Sequence, residues 1–244
     1  YENSFDIKTF APQQQNDAIG QRLQQLFLVI NQVNPTLMTN ADGLLIVSTL
    51  EFDRNWGLGS SSTLVSLLAQ WSEVNPYVLL QKVFGGSGYD VACGLADGPI
   101  LFTKNHSKPH VEPVAFSPPF TDHLYFVYLN FKRNSQVAVQ RFDVNRVSPK
   151  IISSLDKLTE AISICVDLKE FNAMIQNHEA LISQLIQQKT VKELLFSDFS
   201  GSLKSLGAWG GDFILATGGE ETPNYFIKKG YKTVIPYNQM CKIN

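Results

Sequence analysis

The sequence predicts an α+β fold, and three observations carry that expectation. Apolar residues recur at steps of three and four over long stretches, the period of an amphipathic helix. Runs rich in β-branched and aromatic residues, chiefly Leu44 to Phe52 and His123 to Phe131, read as strands. The two kinds of segment follow one another without a regular βα alternation. The 244 residues make one large domain or two small ones. A chain of this size buries roughly 70% of the surface it exposes when unfolded, so it needs no disulfide or metal to fold. Ser117-Pro118-Pro119 is the best linker, and it divides the chain into 1–118 and 119–244.

Residues Tyr1 to Phe10 read as a strand or an extended arm, followed by a Gln-rich loop. Ile19, Leu23, Leu26, Phe27 and Ile30 define a helix over about Gln15 to Gln32, ended by Asn34-Pro35. Leu44 to Phe52 reads as a buried strand. Helices are expected from Ser60 to Trp71, from Pro76 to Lys82 and over Asp90 to Leu95, then strands at Pro99 to Thr103 and Val111 to Phe116. Beyond the linker, the strand at His123 to Phe131 precedes three helical stretches, Ser135 to Asn145, Ile151 to Val166 and Leu168 to Gln188. Strands at Asp212 to Thr217 and Thr233 to Tyr237 flank a short helix near Pro223 to Lys229.

Composition narrows the function classes. Charged residues are only 17% against about 25% in an average domain, and hydrophobic residues are 44%, which excludes disorder and a coiled coil. Twenty Lys and Arg stand against 22 Asp and Glu, so a nucleic-acid or membrane-surface partner has no electrostatic support. The three cysteines, Cys93, Cys165 and Cys241, fit neither a disulfide framework nor a zinc pair. Reduced thiols in a cytoplasmic protein are the expectation, with no signal peptide and no apolar run long enough to span a bilayer.

Three glycine turns carry the chemistry. The first is Asn55-Trp56-Gly57-Leu58-Gly59-Ser60-Ser61-Ser62, between a strand and a helix. Glycines let the backbone approach a ligand closely. A helix opening at Ser60 aims free N–H groups and its positive dipole end into the turn, the ingredients of a phosphate cradle. A serine hydroxyl there can also ligate Mg²⁺. The same residues equally describe a Ser-capped helix behind a glycine turn. The turn is neither a Walker A loop nor the dinucleotide fingerprint. The second turn, Gly85-Gly86-Ser87-Gly88-Tyr89-Asp90, sets one carboxylate after a flexible loop, suited to accept or orient a hydroxyl proton, or merely to cap a helix. The third, Lys204 to Asp212, packs Gly207, Gly210 and Gly211 just before a strand, which suggests close approach to a ligand or to another segment.

The order of these turns resembles the GHMP kinase superfamily (galactokinase, homoserine kinase, mevalonate kinase, phosphomevalonate kinase), over about residues 44 to 217. Gly86 to Ala92 is most similar to the phosphomevalonate kinase version, and to a bacterial subgroup named for a Gly-Tyr-Asp-Ile-Ala stretch that here reads GYDVA. Asp212 leans the same way. The resemblance implies a two-lobed kinase, with a ribosomal-protein-like amino-terminal lobe and a ferredoxin-like carboxyl-terminal lobe. It implies ATP phosphates over Asn55 to Ser62, Ser61 as a Mg²⁺ ligand, and Asp90 as the base toward the acceptor hydroxyl. It also implies that Gly207, Ala208, Gly210 and Gly211 close over the phosphates, and that Ser87, Gly88, Asp90 and Trp209 meet the small-molecule acceptor. Mevalonate or phosphomevalonate is the acceptor this likeness favours, which would put the chain in isoprenoid biosynthesis. An ATP-dependent decarboxylase of diphosphomevalonate type and a member that binds nucleotide without turnover are the alternatives.

The sequence departs from the family at several points. The first family motif, with its lysine and glutamate, has no counterpart, and truncation ahead of Tyr1 is the expected reason. Asp53 stands for a usual proline, Ser62 for an alanine and Trp209 for a common glycine. Leu79 lies near the spacing of a second metal ligand. His106, His110, His123 and His178 form no metal spacing. Lys104, Lys132 and Arg133 are second-choice contacts for a charged acceptor. Nothing in the sequence reports the oligomeric state.

Overall fold

The computed structural model describes residues 1–39, 43–105, 109–131, 142–207, 209 and 211–241. The chain forms two compact units, Tyr1–Glu51 with Gly59–Pro113, and Phe52–Leu58 with Val114–Asn244. The first glycine turn is therefore shared: its residues up to Leu58 pack with the second unit and those from Gly59 with the first.

The first unit is built on helices. Helix α1 (Ala18–Val33) starts where the Asp17 carboxylate accepts from the Gly20 amide at 2.8 Å, and Pro35 opens the short α2 (Pro35–Thr39). Helices α3 (Ser60–Ser72), α4 (Pro76–Val83) and α5 (Tyr89–Leu95) follow, then strands β1 (Ile100–Thr103) and β2 (His110–Pro113), paired antiparallel. Leu26, Ile30, Val65, Leu79 and Val91 are fully buried at the centre of this core. Each lies on the apolar stripe that its helix presents inward.

Of the two readings of Tyr1 to Phe10 the arm holds, and one other expectation fails in this unit. Tyr1 to Phe10 is an arm and not a strand: one isolated bridge joins Phe5 to Pro12, and Phe5 and Phe10 pack their rings on Phe27. Leu44 to Phe52 is no strand and is not buried. Leu45 is 91% exposed and Val47 78%. Among the described residues nothing pairs with this segment. β-Propensity reports fit to a pleated, half-buried surface and supplies no partner strand.

The second unit is a four-stranded antiparallel sheet in the order β4-β5-β3-β6, from β3 (Leu124–Tyr128), β4 (Leu203–Ser205), β5 (Phe213–Thr217) and β6 (Val234–Pro236). Alternation along β3 and β5 sends successive side chains to opposite faces. Leu124 and Leu215 meet Phe120, Phe171 and Ile175 beneath α6 (Pro149–Ser163) and α7 (Leu168–Ile186). Val127, Ile214 and Ala216 meet Phe196, Phe199 and Phe226 beside α8 (Val191–Leu195) and α9 (Thr222–Lys228). A last turn of helix, α10 (Tyr237–Met240), stacks Tyr237 on Phe126. The helical stretch expected at Ser135 to Asn145 falls largely outside the described residues, and Val144–Arg146 is a 3-10 turn. Strand β4 was not anticipated, because its three residues lead directly into the third glycine turn.

Aromatic packing supplies much of the β5 core. Phe196 is fully buried and meets Phe226 and Tyr231 edge to face, each with ring centroids 5.0 Å apart. Phe196→Ala is expected to cost about 3–5 kcal/mol in chemical denaturation. A loss below about 1 kcal/mol would contradict this packing.

Candidate functional site

The portion of the first glycine turn held by the second unit is pinned by its backbone. Asp53 accepts the Asn55 amide at 2.8 Å and so caps the single 3-10 turn Arg54–Trp56. Asp53 thus shapes the loop. Trp56 meets Phe213 edge to face at 5.6 Å, Tyr128 packs on the same ring at 5.3 Å, and the Tyr128 hydroxyl donates to the Asn55 carbonyl at 2.9 Å. Burial pushes the Tyr128 pKa up, and the charges of Asp212 and Asp53 push it further. The hydroxyl therefore remains a donor throughout the neutral range.

Gly57 sits at φ 70°, and a Cβ added there would overlap the carboxylate of Asp212. Asp212 is itself buried in the left-handed region at φ 54°, tied by backbone bonds to Leu129 and Phe131, both 2.8 Å. Its Oδ2 also lies 3.5 Å from where a Cβ on Gly207 would project. One carboxylate thus packs against the glycines of the first and third turns. Sequence reasoning had Asp212 only as a family likeness, because contact through space and a positive φ leave no local signal.

In the first unit, Gly59 (φ 72°) is the N-cap of α3, and no side chain caps it. The first intrahelical bond runs from the Thr63 amide to the Gly59 carbonyl at 2.9 Å, so the amides of Ser60, Ser61 and Ser62 precede the helical ladder. Ser61 is exposed at this end. Helix α5 packs on α3 where Gly94 approaches the Ser66 hydroxyl, and this brings Asp90 to the α3 start. A Cβ on Gly59 would lie 3.7 Å from the Asp90 carboxyl carbon. Asp90 is solvent-exposed as a residue, yet partial burial of its carboxyl pushes the pKa above the ordinary carboxylate value, and a Tyr89 hydrogen bond opposes that. Gly88 caps α5 at φ 88°, and a Cβ there would press on the Tyr77 ring at 3.1 Å. Ser87 is exposed beside it.

Ala208 and Gly210 of the third turn lie outside the described residues, as do Lys132, Arg133 and His106. The turn is the loop of the β4–β5 hairpin, closed by the Leu206 amide on the Phe213 carbonyl at 3.1 Å. Gly211 is buried, Gly207 is exposed, and the Trp209 indole N–H donates to Glu179 of α7 at 3.3 Å. Leu79, near a metal-ligand spacing, is a core residue. His110 and His123 are exposed. Among the described residues no three His, Cys, Asp or Glu side chains gather as a metal cage. A lone Ser61 hydroxyl fits Mg²⁺ that is held mostly by substrate phosphates and water. No helix among them is long and apolar enough to cross a membrane.

No family model and no curated protein sequence matches the chain. Solved structures do. A Lin0012 protein from Listeria innocua aligns over 92% of this chain and 79% of its own, at TM-score 0.66 and 13% identity. Lactococcus lactis galactokinase, complexed with galactose, aligns over 93% and 74%, at TM-score 0.56 and 13% identity. At these identities the likeness establishes the fold, and galactokinase has the GHMP kinase fold that the three motifs resemble.

Gly57→Ala is expected to destabilise the chain by about 1–3 kcal/mol, from positive φ together with overlap on Asp212. Gly85 has a similar φ but open space around it, so Gly85→Ala should cost about 1 kcal/mol or less. In an Asp212→Gly background the cost at position 57 should fall by about 1 kcal/mol, measured as a double-mutant cycle in urea. Strict additivity would contradict the contact.

Proposed function

We propose that this chain, which has the GHMP kinase fold, is an ATP-dependent kinase that phosphorylates a hydroxyl or phosphate of a small metabolite. One observation carries the reading: the start of α3 is capped by a glycine and not by a side chain, and the Asp90 carboxyl lies beside it. The amides of Ser60 to Ser62, with the helix dipole behind them, suit a polyphosphate. On the family likeness alone, Asn55 to Leu58 and the third glycine turn would also contact the phosphates. On the GYDVA likeness, mevalonate or phosphomevalonate is the favoured acceptor, met by Ser87, Gly88, Asp90 and Trp209.

Phosphoryl transfer asks a protein mainly for positioning and for stabilisation of charge. In this reading the acceptor oxygen forms a bond to the γ-phosphorus as the bond to the β-phosphate oxygen breaks, and ADP leaves. Asp90 orients the acceptor hydroxyl and takes its proton. Its raised pKa makes it a stronger base than an ordinary exposed carboxylate. The amides at the α3 start hold the phosphates without reorganising as charge shifts. Mg²⁺, when bound with the nucleotide, supplies charge neutralisation across the phosphates, and the Ser61 hydroxyl would hold it.

Asp90→Asn is expected to lower kcat by about 100-fold or more, the scale of general-base loss, while the nucleotide Kd changes less than about threefold. In the parent protein kcat/KM should fall as pH drops through a value above the ordinary carboxylate range, because protonation removes the base. That acid limb should be absent in the variant. Steady-state turnover over an acceptor panel including mevalonate, phosphomevalonate, sugars and homoserine tests the reading. ADP formation with none of them, or Asp90→Asn turning over normally, would refute it.

A further inference from the structure

Beside its apolar stripe of Phe171 and Ile175, helix α7 turns a line of polar residues toward the sheet. Asn172, Gln176 and Glu179 are spaced i, i+4 and i+7, so they share one face. Thr217 donates its hydroxyl to Asn172 at 2.5 Å, and Gln176 donates to the Ser202 hydroxyl at 2.5 Å. At the far end Glu179 is 4% exposed. Its Oε1 accepts from Lys204 Nζ at 3.0 Å and from the Trp209 indole N–H at 3.3 Å, and its Oε2 accepts from the Ser205 hydroxyl at 2.9 Å. Lys204 also donates to the Ser205 carbonyl at 2.6 Å.

The three donors on Glu179 come from the end of β4 and from within the hairpin loop. One carboxylate therefore ties the β4 side of the third glycine turn, and Trp209 within it, to α7. A buried ion pair seldom adds stability over well-packed apolar side chains of the same volume. What it does supply is register: these bonds can form only at one axial position of α7 over β4. Neighbouring His178 does not compete for the carboxylate. Burial first, and the Lys204 charge second, lower its pKa to about 4, so it is neutral near pH 7.

We propose that Glu179 is a positioning residue for the third glycine turn, holding Trp209 and the end of β4 in the arrangement that receives a phosphate-bearing ligand. The phosphate part of this inference rests on the kinase reading above. The tether to Trp209 does not.

Fluorine NMR on protein labelled with 5-fluorotryptophan gives three resonances, from Trp56, Trp71 and Trp209, the last assigned with Trp209→Phe. The apolar double variant Glu179→Leu/Lys204→Met removes the charges together, so it is expected to stay folded with an unchanged or higher Tm. Its Trp209 resonance should move or broaden while those of Trp56 and Trp71 stay in place, and its Kd for Mg·AMP-PNP should rise about tenfold. Glu179→Gln keeps acceptor capacity toward the indole and should show a smaller change of the same kind. A Trp209 resonance unmoved in both folded variants overturns the proposal, as does a moved resonance with unaltered nucleotide affinity. Parent protein that binds no nucleotide would overturn the kinase reading alone, and the Trp209 resonance would still decide the role of Glu179.

Discussion

A glycine and a carboxylate share one small volume in this protein, and the first glycine turn takes its shape from that. The Asp212 carboxylate fills the space a side chain at position 57 would need, and only a residue without Cβ also tolerates the positive φ there. Asp212 adopts a left-handed backbone of its own, which a non-glycine residue keeps only when its surroundings over-determine it. Here they do: backbone bonds to Leu129 and Phe131 hold it at the start of β5. The loop of the β4–β5 hairpin and the Asn55 to Leu58 turn are thereby fitted to the same group. Phe213, next in sequence, supports Trp56 and Tyr128 and so extends that constraint into the aromatic layer.

Glycine has a second use at the helix starts. Both α3 and α5 are capped by glycines in the left-handed region, Gly59 and Gly88, and neither receives a side-chain cap. Five other helices are capped by side chains: Asp17, Asn75, Ser148, Asp167 and Thr190 each accept an amide from the first turn of their helix, while Thr222–Lys228 and Tyr237–Met240 are not. Capping by a side chain contributes about 1 kcal/mol, and α3 forgoes it.

Much of this was legible in the sequence. Helices α1, α3, α4, α5, α6 and α7 fall within a few residues of their expected bounds, because their apolar periods and their Pro and Asn punctuation act locally. Gly57 to Ser62 and Asp90 stood out through residue type and order. Leu44 to Phe52 misled because a β-prone run says nothing about whether a neighbouring strand exists to cover it. Asp212 was passed over as a functional contact because its importance lies in meeting residues far away in sequence. The polar line on α7 is hidden for a related reason. Asn172, Gln176 and Glu179 look like a solvent face until β4, itself only three residues long, is set beside them.

The central claim is that the opening of α3 grips a triphosphate, and an amide NMR titration tests it most directly. Adding Mg·AMP-PNP to labelled protein should shift the Gly59, Ser60, Ser61 and Ser62 amide resonances saturably, while adenosine alone leaves them unmoved. If those four amides stay still with the nucleotide, or respond equally to adenosine, the phosphates are not held there and the account is wrong.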